Sequence, residues 1–179
     1  KTCQLAKHLW LDGSDTERAI GQDALARITA RVTASELGHT GQVRICVEAA
    51  LPLSYLWRAG LHGPLDPVIR ERALMLFSKL RVWDTAHNNG LLIYVLMAEH
   101  AIEIVADRGL SHRVPAVQWE QLTRQLSSDF GNAHFEAGLN DAIDVCSALL
   151  MLHFPRPLAP GEDGAAASAN ELPDEPVLS

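Results

Sequence analysis

Asp84, Asn88 and Asn89 stand just ahead of one apolar run, and Asp107 and Arg108 close a second run a few residues further on. Gly90 to Ala98 is nearly all apolar, the composition of a strand covered on both faces, and Ala101 to Asp107 is apolar up to its end apart from Glu103. Ala98, Glu99 and His100 form the natural turn between them. Antiparallel pairing about that turn sets the start of the first strand beside the end of the second, so all five polar residues converge at one end of a sheet. Asp84, Asn88, Asn89 and Asp107 carry the oxygen donors that a hard cation such as calcium takes, completed by carbonyls and waters. Arg108 adds a positive group able to hold a phosphate, which makes Asp107 and Arg108 the candidate catalytic pair. A purely local reading competes with both: Asn88-Asn89-Gly90 makes a turn, Asp84 caps a loop, and Asp107 pairs with Arg108 or a backbone amide.

Elsewhere the chain offers little for catalysis. A phosphatase needs a nucleophile or a metal-activated water, together with positive groups around the spreading charge. The sequence has no Cys-x5-Arg loop, no Asp-x-Asp pair and no dense His/Asp set with two-metal spacing. Its eight histidines include no His-x-x-x-His or His-Glu-x-x-His, so no transition-metal site is expected. EF-hand spacing is absent, and Gly60-Leu-His-Gly63 and Asp107-Arg-Gly109 lack the spacing or the lysine of a phosphate loop. The expectation is a binding module without an organic cofactor rather than an efficient enzyme.

A net charge of −7 and a pI near 5.5, with arginines merely scattered, exclude an electrostatic nucleic-acid binder. Cys3, Cys46 and Cys146 are far apart and odd in number, which points to buried thiols rather than a disulfide framework or a zinc knuckle. The longest apolar run falls far short of the roughly 20 residues of a spanning helix, and the start of the chain lacks the form of a secretory signal. A soluble chain is expected, in the cytoplasm or at the periphery of a membrane.

Three blocks position the polar cluster. Residues 1–13 read as a short N-terminal helix or extension, 14–155 as one α/β domain, and 156–179 as a flexible tail rich in Pro, Ala and Gly. Within the domain, Ser14-Asp-Thr-Glu17 has capping-box spacing and opens a helix from about Thr16 to Glu36. Gly41 to Ala50 alternates Val43, Ile45 and Val47 with Gln42, Arg44, Cys46 and Glu48, the pattern of a half-buried strand. Leu53 to Pro67 reads as an irregular connection, followed by a helix with Ile69, Ala73, Leu76, Phe77 and Leu80 on one face. Strand, crossover helix and strand predict a parallel pair. Two helices follow: one begins near Pro115 and ends at Gly131, and one carries its apolar seam from Phe135 to His153. Helices around three strands make an α/β layer structure.

Arg72-Ala73, Thr85, Asn88-Asn89-Gly90-Leu-Leu-Ile-Tyr, Glu103-Ile-Val-Ala-Asp107-Arg-Gly109, Trp119, Phe130, Gly138-Leu139 and Phe154-Pro155 together resemble the TPM-domain family. That family is named for a thylakoid lumen phosphatase-like protein, a photosystem II repair factor and an acetylcholine-receptor modulator. The likeness spans roughly residues 17 to 155, and Asn-Glu-Leu-Pro-Asp-Glu at 170 to 175 resembles a tail motif of its short bacterial members. The resemblance implies a mixed sheet sandwiched by helices on both faces. It also implies a choice of roles: calcium binding, action through a protein partner that can be membrane-associated, or weak acid phosphatase activity. Gln42 stands where the family pattern has Glu, which removes a carboxylate near the sheet end. The tail motif is read either as a peptide for a partner's groove or as a segment that docks on its own domain.

Overall fold

The computed structural model describes residues 20–60, 63–132, 135–157 and 170–179, with side chains left aside at 129–132. The expected extension at 1–13 and the capping box at 14–17 lie outside these residues. The sheet is built on β2 (Gly90–Leu96), whose seven residues are all buried, as its unbroken apolar composition demands. β1 (Gln42–Glu48) runs parallel to it, Gln42 facing Gly90, and β3 (Ala101–Ala106) runs antiparallel, Leu91 facing Ala106. A single 3-10 turn at Met97–Glu99 joins β2 to β3, closed by His100 in the left-handed region at φ 50°.

The helices are α1 (Gln22–Glu36), α2 (Leu53–Ala59), α3 (Asp66–Lys79), α4 (Arg108–Ser111), α5 (Ala116–Asn132) and α6 (Phe135–His153). On one face of the sheet Val43, Ile45, Ile93 and Ile104 pack with Ile28 and Val32 of α1, Leu126 of α5, and Leu139 and Ile143 of α6. The other face presents Cys46, Leu92, Tyr94 and Val105 to Tyr55 and Leu56 of α2 and to Ile69, Ala73 and Leu76 of α3. The fold is therefore a mixed sheet sandwiched by helices, as expected. Among the described residues no helix is long and apolar enough to cross a membrane.

Three local expectations are corrected. Residues 53–59 are helical rather than irregular: the Pro52 carbonyl accepts from the Tyr55 and Leu56 N–H groups, and those two side chains anchor the short helix in the core. β1 is buried on both faces rather than one, with Gln42 and Glu48 at 1% and 2% exposure. Its polar residues can be buried because each is partnered. Glu48 accepts from Arg72 Nε at 2.9 Å, from Tyr94 Oη at 2.8 Å and from Ser179 Oγ at 3.1 Å. Arg44 donates to the Pro173 carbonyl.

The third correction concerns the tail. A flexible segment was expected through residue 179, yet residues 170–179 lie against the domain and add β4 (Val177–Leu178), parallel to β1. The sheet order is β3-β2-β1-β4. Gln42 Oε1 accepts from Glu171 N at 2.8 Å and from Leu172 N at 3.1 Å, while Leu172 enters the core beneath α3. Ser179 N donates to Val47 O at 3.0 Å, and Ala49 N donates to Ser179 O at 3.1 Å. Of the two readings of the tail motif, docking on its own domain is the one realised.

Replacing Gln42 by Met keeps much of the volume but leaves two tail N–H groups without their acceptor. Chemical denaturation of Gln42→Met is expected to show a loss of about 1–3 kcal/mol. Unchanged stability would contradict the role of Gln42 as the anchor of the tail.

Candidate metal and ligand site at the polar end of the sheet

The hairpin register brings the segments on either side of it together. Asp107 N donates to Gly90 O at 2.9 Å, and Gly109 N donates to Asn88 O at 2.9 Å. This approach requires glycine at 109, since a Cβ there would lie 2.4 Å from the Asn88 carbonyl oxygen. Asn88 itself adopts φ 52°, a left-handed conformation that asparagine tolerates better than most residues. The parallel register adds a third wall from the start of β1: Asn89 Nδ2 donates to Thr40 O at 3.1 Å.

The five side chains singled out by their spacing divide into two groups. Asp84 is half exposed and pairs with Arg81 Nη2 at 2.6 Å. Asn88 Oδ1 accepts from both Nε and Nη2 of Arg108, at 2.9 and 2.8 Å. These two residues and Arg108 are thus committed to local ion pairing and loop bracing. Asn89 and Asp107 are different, because each is buried and holds one oxygen without a hydrogen-bond partner, Asn89 Oδ1 and Asp107 Oδ2. The Thr40 carbonyl can only accept, which fixes the amide nitrogen of Asn89 towards it and leaves Oδ1 as the free atom. Asp107 Oδ1 accepts from Arg108 N at 2.6 Å and caps α4, leaving Oδ2 free. An unpaired buried oxygen costs on the order of 1–3 kcal/mol, which a water or an ion bonded to it would offset.

Asp107 Oδ2 and Asn89 Oδ1 are each an oxygen donor of the kind a hard cation takes. Among the described residues no group of three or more His, Cys, Asp or Glu side chains gathers to hold a metal ion. A cation here would therefore depend on carbonyls and water for most of its shell. Soft-metal and thiolate chemistry finds no support at Cys46 and Cys146, both buried. Burial pushes their thiols up, to about 11 and about 12 respectively.

Spacing singled out neither Glu171 nor Glu36 at this end, while parallel pairing of β1 already sets His39, just ahead of β1, beside it. Glu171 Oε2 accepts from Ala86 N at 2.8 Å, so the tail braces the same loop that carries Asn88 and Asn89. His39 is fully buried, and burial lowers its pKa; its Nδ1 bonds the Gly41 carbonyl at 3.0 Å and its Nε2 has no partner. Glu36 ends α1 and accepts from Val43 N at 2.8 Å. Desolvation raises its carboxyl from 4.5 to about 7, against the opposing effect of the Val43 amide.

A three-layer α/β fold with oxygen-bearing loops at one sheet end defines the class of protein. The TPM domain model matches residues 14–149, and the chain belongs to the TPM domain family. Among solved structures it is similar to the NMR structure of the BA42 protein from the psychrophilic bacterium Bizionia argentinensis. The TM-score is 0.67 at 21% identity, over 88% of this chain and 93% of that one. At that identity the likeness establishes the fold. No curated protein matches the sequence.

Glu36 makes stability pH-dependent. Its folded pKa of about 7 lies above the ordinary 4.5, so its neutral form favours folding. That contribution is full below pH 4.5 and is lost as pH rises through about 7. Relative to Glu36→Gln, the native chain is expected to lose about 2–3 kcal/mol over that window, read as the difference between two denaturation series. Parallel pH profiles would contradict the burial argument.

Proposed function

We propose that this chain is a binding module whose sheet end holds a hard cation, calcium in the first instance, and that it works through a protein partner rather than by turnover. The observation that carries this reading is the pair of buried oxygens without partners, Asp107 Oδ2 and Asn89 Oδ1, on segments that the hairpin register brings to one end of the sheet. Asp107 and Asn89 would supply the side-chain ligands. Bound there, the ion would neutralise the Asp107 carboxylate and tie β2 to the start of α4. Asp84 and Asn88, first considered as ligands, serve in this reading as loop braces through Arg81 and Arg108.

A weak metal-dependent acid phosphatase is the alternative, with Asp107 and Asp84 on the cation and Arg108 on the phosphate. One observation favours it: Arg108 is fixed at the same sheet end by two bonds to Asn88, and so presents an oriented guanidinium there. Among the described residues neither thiol would serve it as nucleophile, since Cys46 and Cys146 are buried and burial pushes both pKa values up, so it would depend on a metal-activated water.

Calorimetric titration with calcium, paired with a phosphomonoester assay, separates the two readings. Asp107→Asn is the clean variant, since Asn retains the oxygen that caps α4 while removing the charge. Saturable binding is expected in the native chain, with a stability gain of about 2.7 kcal/mol at a hundredfold excess over Kd. Both effects should be lost in Asp107→Asn, with no turnover in either protein. Turnover abolished by Asp107→Asn in a folded chain would favour the phosphatase, and calcium binding indifferent to that substitution would reject the site.

A further inference from the structure

Outside the sheet end, a groove of about 870 Å³ runs along the outer edge of β3, between α3 and α5. β3 is an edge strand, so half of its backbone groups face away from the sheet. Asp107 N bonds Gly90 O, which fixes the parity: Ile102 and Ile104 direct their N–H and C=O groups outward. Two side chains satisfy part of this edge. Ser127 Oγ of α5 accepts from Ile102 N at 3.2 Å and donates to Ile102 O at 3.1 Å. Arg70 Nη1 of α3 donates to Ile104 O at 2.6 Å and to Glu103 Oε2 at 3.0 Å. Between these caps the Ile104 N–H points away from the sheet. The Trp119 indole, also in the lining, has a buried Nε1–H without a partner.

The charge of the groove is lopsided. Its walls carry the carboxylates of Asp66, Glu99, Glu103 and Glu120 against the guanidiniums of Arg70 and Arg124. Backbone carbonyls of an added strand would supply acceptors at the spacing of β3, and cationic side chains would meet the carboxylate excess. We propose that this groove takes an extended, basic peptide segment of a partner protein, paired with β3 as an additional strand. The segment would displace the Ser127 and Arg70 caps, which occupy the edge in its absence. Its lining includes neither Asn89 nor Asp107, so this interface stands independently of the cation site.

The test is backbone NMR of the full chain with a capped peptide of alternating valine and lysine, long enough to span β3. Its valine-glutamate counterpart serves as control, and both are run with calcium and with chelator. The valine-lysine peptide is expected to shift the Ile102 and Ile104 amides saturably and to slow hydrogen exchange at Ile104, with or without calcium. The acidic control and the surface variant Glu120→Lys should each bind about tenfold more weakly. Equal binding of the two peptides, shifts centred elsewhere, or no binding would overturn the proposal. Concentration-dependent broadening of the same amides without peptide would assign the edge to a second copy of the chain and overturn it too.

Discussion

The polar face of β1 has to be satisfied inside the molecule, and much of the architecture follows from that. Gln42, Arg44 and Glu48 alternate with the apolar residues of a central strand between β2 and β4, and Gln42 and Glu48 are buried while Arg44 is half-buried. A buried carboxylate such as Glu48 is tolerable only when paired and hydrogen-bonded. Arg72 supplies the charge, Tyr94 and Ser179 supply hydroxyls, and the tyrosine hydroxyl is itself pushed up in pKa by burial beside that carboxylate. Gln42 and Arg44 are met by the backbone of residues 171–173. The C-terminal segment is thus the complement of the polar face of β1, which ties one end of the sequence to a strand more than a hundred residues earlier.

The same arrangement shapes the sheet end. Gln42 faces Gly90 across the parallel pair, so the residue that receives the tail is also the neighbour of the Asn88-Asn89 loop. Glu171 then reaches the backbone of that loop at Ala86. At 42 this chain has a neutral acceptor for two amides, and the tail brings a carboxylate to the neighbouring loop.

Much of the fold was legible from the sequence. The hairpin from Gly90 to Asp107, the parallel pairing of β1 with β2 and the long apolar seam of α6 all follow from periodicity and turn chemistry. Local pattern could not reveal β4, because a strand of two residues has no period, or the full burial of β1, because alternation marks faces without saying what covers them. α2 escaped for a related reason. It is two turns long, and Trp57 stands 85% exposed within it, so no apolar stripe develops. At the candidate site, spacing brought five residues to one end of the sheet and could not rank them. The ranking rests on long-range partners: Arg81 for Asp84, Arg108 for Asn88, and Thr40 for Asn89.

In the proposed function Asp107 Oδ2 and Asn89 Oδ1 would hold a hard cation. The most direct measurement is anomalous scattering from a crystal grown with calcium. The expected result is a calcium peak about 2.3–2.6 Å from Asp107 Oδ2, with Asn89 Oδ1 in the same coordination shell. Ordered waters bonded to both oxygens, with calcium absent from the sheet end, would contradict it.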